Sequence, residues 1–547
     1  MKTIKILKIL FVSLFIYGFT SCDTDGLTDL DDPKYMLTPD KADMSMMFTD
    51  LLRNHGRNSA GSSAIRVEGT YLKYYASYSF LANMGGIYQL EQGLNDEQWT
   101  NGYRETLKLA VTLDDYLVKL EDPMQVNNIA FTRIMKCAVL QRLTDYYGNI
   151  PASEAGLAYI SDVLKPKYDT QEEVYDYMLK TLDTEIAALT EEQSVKEWTW
   201  AGSNDSKKTR DIVYGGNITK WKKFGYSLML RLAMRISHID PAKAKTYAEK
   251  AIAGGVILDN ADNWALATRD GLNGEKNPYS SWLDGSPNGD PEKYFKLGEY
   301  FVDFLKKNND PRQKIYFGGR LKSDITEVAA SNMQRYWWDE SKWDWDLSQA
   351  KGMLHGMTAN PSPSVAEYMH TYTSPNPFLF SLNQPLVITT AAEMYFWIAE
   401  ASLNGWSTAT TAEAAYKSAI TANMQQLNAY SELLEWQQIS AEDIEKYIAS
   451  KPLGSGANAR QRLAEELWVS FYLNPSEAWF NVRRMDLKLP DNTIDTHMPV
   501  RHTYPEDERA NNLDNMNAAL QQMGISTNAS REEERAVRVW WDVKDNF

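Results

Sequence analysis

Paired helices, each marked by capping residues, recur along this chain and constrain its fold more than any other feature. Thr170 and Glu173 form the pattern of a capping box, and the apolar residues that follow are spaced as on one face of a helix. Asp240 and Pro241 begin a later helix, because proline is favoured in the first helical turn, and two glycines end it. These local signals predict a mainly α fold.

Three stretches have the pattern of a helix, a short turn and a second helix. They are residues 103–147, 172–236 and 386–427. In the last stretch, Pro385 precedes an apolar helix that runs to Leu403, and Thr410 with Glu413 is predicted to cap the next helix. Such pairs resemble tetratricopeptide units, although no regular repeat length connects them. We therefore predict helix pairs separated by long insertions.

Two long segments without helical periodicity, residues 258–290 and 318–384, interrupt the helices. Both are rich in Gly, Pro, Asn, Ser and Trp, and loops of this length inside a domain are usually functional. They contain six of the 17 tryptophans: Trp264, Trp282, Trp337, Trp338, Trp343 and Trp345. Because irregular chain offers no helix face on which to bury a ring, these tryptophans favour a ligand-binding surface.

Aromatic and charged side chains are densest between residues 335 and 339. Aromatic rings stack on the apolar faces of pyranose rings, while charged side chains beside them bond to the hydroxyls. We predict that the ligand-binding residues are Tyr279, Trp282, Arg335, Trp337, Trp338 and Asp339. A second aromatic group, Tyr74, Tyr75, Tyr78 and Tyr88, has the spacing of a helix face, so core packing is favoured for it and ligand contact is the alternative.

No catalytic or metal-binding pattern is present in the sequence. There is no HExxH motif, no GxSxG motif and no phosphate-binding loop, and the six histidines have no metal-ligand spacing. Carboxylate pairs such as Asp344 and Asp346 are expected to be solvated in a chain with 73 acidic residues. The net charge of −16 argues against nucleic acid and anionic membrane surfaces as partners. We expect a binding protein without catalytic residues, metal or cofactor. Calcium at Asp344 and Asp346 is the open alternative, although these residues lack the spaced oxygens and the glycine of a recognised calcium loop.

The N-terminus predicts export and a lipid anchor. Three lysines precede the apolar run of residues 9–19, and two small residues then lead to Cys22, which is the bacterial lipobox arrangement. We predict a signal peptide over residues 1–21, a lipidated Cys22, and an acidic tether over residues 22–40. An ordinary signal peptide with an incidental cysteine is the alternative. Cys137, the other cysteine, lies in an apolar helical context and is predicted to be buried.

Several segments together resemble the SusD/RagB family of nutrient-binding outer-membrane lipoproteins. They are LTDYYGNIPASEA (143–155), DIVYGGNITKWKKFGYSLMLRLAMRIS (211–237), LVITTAAEMYFWIAEASLNGW (386–406), EAWFNVRRMDLKLP (477–490), MPVRHTYPEDERANN (498–512) and VRVWWD (537–542). The acidic residues after Cys22 resemble the export tag of surface lipoproteins in Bacteroidetes. The chain departs from the family pattern at Gly225 and Tyr226, where the family usually has Ala-Asn.

The resemblance implies a single α-helical domain over residues 41–547, with about four tetratricopeptide-like pairs and an irregular ligand-binding half. It implies a surface lipoprotein that captures oligosaccharides and passes them to a SusC-like TonB-dependent transporter, without bond cleavage. Oligopeptides, which the RagB branch handles, are the alternative ligand; a glycan hydrolase and a protein-binding helical scaffold are further alternatives. The motif residues Tyr147, Trp221, Arg231, Arg483 and Arg484 are expected to be structural.

Overall fold

Helices dominate the computed structural model of the protein and confirm the mainly α prediction. The structure describes residues 44–59, 63–77, 86–197, 199–200, 210–269, 276–279, 295–326, 336, 339–356, 365–490 and 497–543. The α-helices of six or more residues in these ranges are α1 (Ser45–Ser59), α2 (Gln92–Thr100), α3 (Lys108–Lys119), α4 (Val126–Tyr147), α5 (Gln171–Ala188), α6 (Ile218–Arg235), α7 (Pro241–Gly254), α8 (Glu299–Lys307), α9 (Val365–Thr371), α10 (Ala391–Leu403), α11 (Ala412–Asn428), α12 (Ala441–Ser450), α13 (Gly456–Ser470), α14 (Pro475–Arg484), α15 (Glu506–Asn511) and α16 (Leu513–Gln522). Contacts divide the chain into two units, residues 1–46, of which 44–46 are described, and residues 47–547, which contain α2 to α16.

Local capping signals set two helix starts where the sequence predicts them. At α5, the Thr170 hydroxyl accepts from the Glu173 amide, and the Glu173 carboxylate accepts from the Thr170 amide. At α7, the Asp240 carboxylate accepts a hydrogen bond from the first turn, in which Pro241 has no amide hydrogen to leave unpaired. Both predictions are confirmed because each signal acts within one helical turn.

Two predicted boundaries around α10 and α11 are wrong. The cap of α11 is Thr411, whose hydroxyl accepts from the Ala414 amide, and not Thr410. The Glu413 carboxylate accepts instead from the Leu453 amide, 40 residues away in the chain, at 2.9 Å. The residues after Pro385 first form a strand, and the helix begins only at Ala391. In both cases the residues near the predicted boundary contact a distant segment: Glu413 bonds to Leu453, and residues 386–389 pair with residues 264–266.

Consecutive helices pack against one another in the first half of the chain. The helices from α3 to α7 each contact the next one, and α6 also contacts α10, which pairs with α11. Short connections keep sequential helices adjacent in this way. The helix pairs within 103–147, 172–236 and 386–427 are therefore present, whereas the number of tetratricopeptide-like pairs stays a prediction. No helix in the described ranges is long and apolar enough to cross a membrane.

In the described ranges, three two-stranded antiparallel sheets join segments that lie apart in the chain. The strands are β1 (Tyr75–Ala76), β2 (Trp264–Leu266), β3 (Lys296–Leu297), β4 (Arg320–Leu321), β5 (Trp343–Asp344) and β6 (Leu386–Thr389). They pair as β1 with β3, β2 with β6 and β4 with β5. The β2–β6 sheet joins the first insertion to the segment after the second, and the β4–β5 sheet lies within the second insertion, whereas β1 and β3 lie outside both.

A glycine in α6 allows the close approach of α5. A Cβ atom at Gly225 would lie 2.6 Å from Cγ1 of Ile186, closer than real Cβ contacts come. The neighbouring Tyr226 places its ring where a side chain on Gly254 of α7 would overlap it. The departure from the family pattern at these two positions therefore serves helix packing. Cys137 in α4 is fully buried and free, as predicted.

Candidate functional site

Most of the predicted ligand residues fall outside the described part of the chain. Trp282, Arg335, Trp337 and Trp338 lie outside the described residues, as does the predicted lipidation site Cys22. Their predicted roles therefore stay predictions. Tyr279 and Asp339 are described, and so are three of the other tryptophans in the insertions.

Tyr279 is a packing residue in this structure. Its side chain is 4% exposed, and its hydroxyl donates to the carbonyl of Leu473 at 2.8 Å. Its ring meets Phe380 edge-on, with ring centres 5.6 Å apart. Burial raises the pKa of the Tyr279 hydroxyl above its ordinary value. The ring is enclosed and the hydroxyl is already bonded within the protein, and the ligand role of Tyr279 stays a prediction.

Asp339 is half-buried and stabilises a short turn. Its carboxylate caps the 3-10 turn Glu340–Lys342, accepting from the Ser341 amide at 3.0 Å and the Ser341 hydroxyl at 2.6 Å. These hydrogen bonds, the hydroxyl's first, lower the pKa of Asp339. One carboxylate oxygen is thus used locally, and the carboxylate stays charged at neutral pH.

The tryptophans of the insertions divide between core and surface. Trp264 and Trp343 are buried, with 0% and 1% exposure, so the expectation that irregular chain would keep their rings on the surface is wrong. Trp343 lies in β5, and its indole N–H donates to the carbonyl of Tyr336 at 2.7 Å. Trp345, two residues further on, is only half-buried.

Trp345 forms a surface cluster with two rings that lie far from it in the sequence. Its ring is stacked on Phe378, with centres 6.0 Å apart and planes at 19°. It also meets Trp436 edge-on at 5.6 Å. Phe378 is half-buried, and Trp436, at 40% exposure, is the most exposed tryptophan in the described ranges. We call Trp345, Phe378 and Trp436 the aromatic platform.

Charged caps fix the chain around Trp345. Just before it, Asp344 of β5 forms an ion pair with Arg320 of β4 at 2.7 Å. Just after it, Asp346 caps the 3-10 turn Leu347–Gln349 through the Ser348 amide and hydroxyl. The Trp345 indole N–H donates to the carbonyl of Glu340 at 3.2 Å. The backbone is therefore held on both sides of the ring.

The other two rings are supported by one short helix, Gln313–Tyr316. Asn376 is buried and donates to the carbonyl of Ile315 at 2.7 Å, while its side-chain oxygen accepts from the Phe378 amide at 3.1 Å. Trp436 lies in the 3-10 turn Glu435–Gln437, which packs against the same short helix. The platform is therefore assembled on a common support rather than on independent loops.

The platform has the chemistry of a sugar-stacking surface. Ring faces carry partial negative charge and attract the weakly positive CH groups of a pyranose. Asp344, Asp346 and Ser348 lie within three residues of Trp345, are half-buried or exposed, and carry oxygens that are able to accept hydrogen bonds from hydroxyl groups. In the described ranges no group of three or more metal-ligating side chains occurs.

The sequence singles out Trp345 only as one of the insertion tryptophans and does not indicate the other two rings. Trp436 follows an apolar stretch near two helices, and Phe378 lies in a run of apolar residues, so both had the pattern of core residues. No local signal distinguishes an exposed ring from a buried one at these positions. Only the contacts of Gln313–Tyr316 with both segments bring the rings together.

The residues of the sequence motifs form a buried chain of alternating charge. Its members in spatial order are Glu393, Arg231, Glu477, Arg235 and Asp145, from four helices, with successive side chains 2.6, 3.8, 2.6 and 3.2 Å apart. Each side chain is at most 6% exposed. The predicted structural residues Tyr147, Trp221, Arg231, Arg483 and Arg484 are all buried, which confirms that prediction.

The electrostatics of this buried chain follow from its geometry. Burial raises the pKa of Asp145, although Arg235 opposes the shift. Burial alone would raise the pKa of Glu477 as well, but Arg231 and Arg235 outweigh it and lower that pKa. Charges that depend on one another in this way stabilise one arrangement of α4, α6, α10 and α14. They hold the helices and do not face a ligand.

Comparison with known proteins relates most of the chain to one group. A family model described as SusD-like, "starch-binding associating with outer membrane", matches residues 37–505. No curated protein matches the sequence. A solved structure of a chitin-binding protein is 26% identical, with a TM-score of 0.73, over 92% of this chain and 100% of its own.

Two further solved structures show the same fold at lower identity. A SusD-like protein described as Bacteroidetes AC2a is 24% identical with a TM-score of 0.72, and 92% of this chain and 100% of that chain are covered. A chitin-binding SusD homologue from Flavobacterium johnsoniae is 21% identical with a TM-score of 0.69, covering 92% of this chain and 99% of its own.

Proposed function

The chain belongs to the SusD-like family, and from this premise we propose that it captures oligosaccharides at the outer surface of the outer membrane. The observation that carries the proposal is the aromatic platform, because rings held on a fixed support stack on sugars without first losing much freedom. The family's description as starch-binding and the chitin-binding relative at 26% identity both support a glycan as the ligand.

We further propose the partner and the anchor that the resemblance implies. The protein would be held by lipid on Cys22, with residues 22–40 as tether and residues 41–547 as the binding domain, and would deliver its ligand to a SusC-like TonB-dependent transporter. Its reaction is binding and release without bond cleavage. A transporter gene directly beside the gene for this protein supports the partner, and its absence there argues against it.

The test measures binding to the platform by calorimetry. Chitohexaose and maltohexaose are titrated into the mature protein and into Trp436→Ala and Trp345→Ala. Losing a stacked ring is expected to weaken binding by about 1 to 3 kcal/mol, which is roughly 5- to 150-fold. Because the Trp436 ring is exposed, its variant should keep the melting temperature of the parent.

Tyr159→Ala is the matched control, since Tyr159 is an aromatic residue with 89% exposure that is no part of the platform. Its variant should bind as the parent does. Unchanged glycan binding in both tryptophan variants would overturn the platform as the site. Binding of peptides but of neither glycan would establish the oligopeptide alternative, and release of shorter sugars on long incubation would establish a hydrolase.

A further inference from the structure

A second cleft lies apart from the platform and shares no residue with it. It encloses about 220 Å³ between the end of α14, the segment that follows α14, and the C-terminal segment. Tyr71 and Tyr88 form one wall, and Arg483, Lys488 and Arg538 lie among the lining residues. Since about 10 to 15 Å³ of such space admits one water molecule, the cleft has room for a small polar group with part of a sugar ring.

The cleft is cationic in a chain whose net charge is −16. Its lining contains three cations, Arg483, Lys488 and Arg538, and one carboxylate, Asp486. Asp486 is shared, since Lys488 lies 2.5 Å and Arg538 3.5 Å from it. Arg538 also pairs at 2.5 Å with the buried Asp542, behind the lining. Among the described residues, three cations thus face two carboxylates.

Arg483 supplies the excess positive charge. It is 2% exposed, and in the described ranges no carboxylate lies within 4.0 Å of its guanidinium. Its two terminal nitrogens donate to the carbonyls of Val500 and Asp145, and its Nε has no hydrogen-bond partner. The guanidinium lies 3.8 Å from the centre of the Trp479 ring. Carbonyls and a ring face stabilise a cation only partly, so a nearby anion would be attracted.

The walls of the cleft are held rigidly. Arg535 donates to the Tyr71 hydroxyl at 2.9 Å and to the carbonyl of Tyr88 at 2.8 Å. Lys73 donates to the Tyr88 hydroxyl at 2.9 Å. The backbone of Asp486 is left-handed, with φ of 47°, and it turns the chain just after the end of α14. Aspartate tolerates this conformation better than most residues do. The tyrosine wall and the turn that carries Asp486 therefore form a fixed frame.

We propose that this cleft is an anion-binding subsite that accepts a carboxylate or sulfate group of an acidic saccharide. Guanidinium and ammonium groups bind such oxyanions with short, charge-assisted hydrogen bonds. Lys488, whose side chain is 76% exposed, can exchange its surface ion pair with Asp486 for an incoming anion, because such exposed pairs contribute little stability. The saccharide part of the proposal rests on the proposed function, whereas the anion part rests on the cleft alone.

The experiment compares acidic and neutral probes. Trigalacturonate, its trimethyl ester and a sulfated galactose disaccharide are titrated into the mature protein, into Lys488→Gln and into Lys488→Glu. Lys446→Glu is the matched control, because Lys446 is 69% exposed and lies 2.5 Å from a carboxylate, as Lys488 does, but is no part of the cleft.

We expect the parent to bind at least one acidic probe and to bind it more tightly than the ester. Lys488→Gln should weaken that binding about 3- to 10-fold and Lys488→Glu more than 10-fold, with Lys446→Glu unchanged. Two results would overturn the proposal. One is that Lys488→Glu and Lys446→Glu bind the acidic probe with equal affinity. The other is that the parent binds neither acidic probe more tightly than the ester. The binding of neutral glycans to Lys488→Glu measures the aromatic platform separately from the cleft. If this variant binds no neutral glycan, the proposed function fails and not the anion-binding proposal.

Discussion

Replacing Arg231 by methionine should destabilise the protein severely, because it removes the cation from a buried ion pair. Arg231 donates two hydrogen bonds, of 2.6 and 2.7 Å, to the Glu393 carboxylate, and the two side chains are 4% and 0% exposed. The same guanidinium donates to the Thr389 hydroxyl at 2.9 Å. Without it, the Glu393 carboxylate keeps only the Trp397 indole at 3.2 Å as a donor among these contacts.

The expected magnitude follows from that geometry. Breaking one side of a buried, hydrogen-bonded ion pair costs about 3 to 5 kcal/mol, since the remaining charge is left without a partner or must take up a proton. Removing both members, in Arg231→Met with Glu393→Leu, leaves no isolated charge at this end. The double variant should therefore be no less stable than either single variant. The costs of the two single substitutions would then exceed the cost of the double substitution by a coupling energy of about 3 kcal/mol or more.

The assay is urea unfolding followed by tryptophan fluorescence, with the free energy of unfolding extrapolated to water. The exposed pair Glu442 and Lys446, with side chains 74% and 69% exposed, is the control, and its variants should change that free energy by less than about 1 kcal/mol. A cost below about 1 kcal/mol for Arg231→Met, or a double variant that costs the sum of the two singles, would show that Arg231 and Glu393 are not a coupled buried pair.

Three further predictions concern single residues. Burial raises the pKa of the Cys137 thiol to about 12, so Ellman's reagent should label it only after unfolding; fast labelling of the native protein would contradict this. Burial lowers the pKa of His355 to about 3, so the unfolded state takes up that proton more readily below pH 6.5. When the pH falls from 7 to 5, the free energy of unfolding of His355→Gln should therefore decrease by about 2 kcal/mol less than that of the parent, as measured by urea unfolding at both pH values. Cys22→Ser should abolish incorporation of labelled palmitate, and a labelled variant would disprove the lipid anchor.

Much of the helical framework follows from the sequence because its signals are local. The capping box of Thr170 and Glu173 and the Asp240-Pro241 start act within one turn, so four residues contain the whole interaction. The motif residues were also predicted to be structural, and Arg231, Arg483 and Arg484 are indeed buried. The predicted signal peptide and lipobox are likewise local patterns, which the described residues do not test.

The tertiary structure alone decided which rings face solvent and which meet. Trp343 and Trp345 are two residues apart in the same insertion, yet one is buried and the other takes part in the aromatic platform. Phe378 and Trp436 join Trp345 only because the helix Gln313–Tyr316 supports both of their segments. The exposure of a side chain depends on residues that are distant in the chain, and local periodicity contains no information about them.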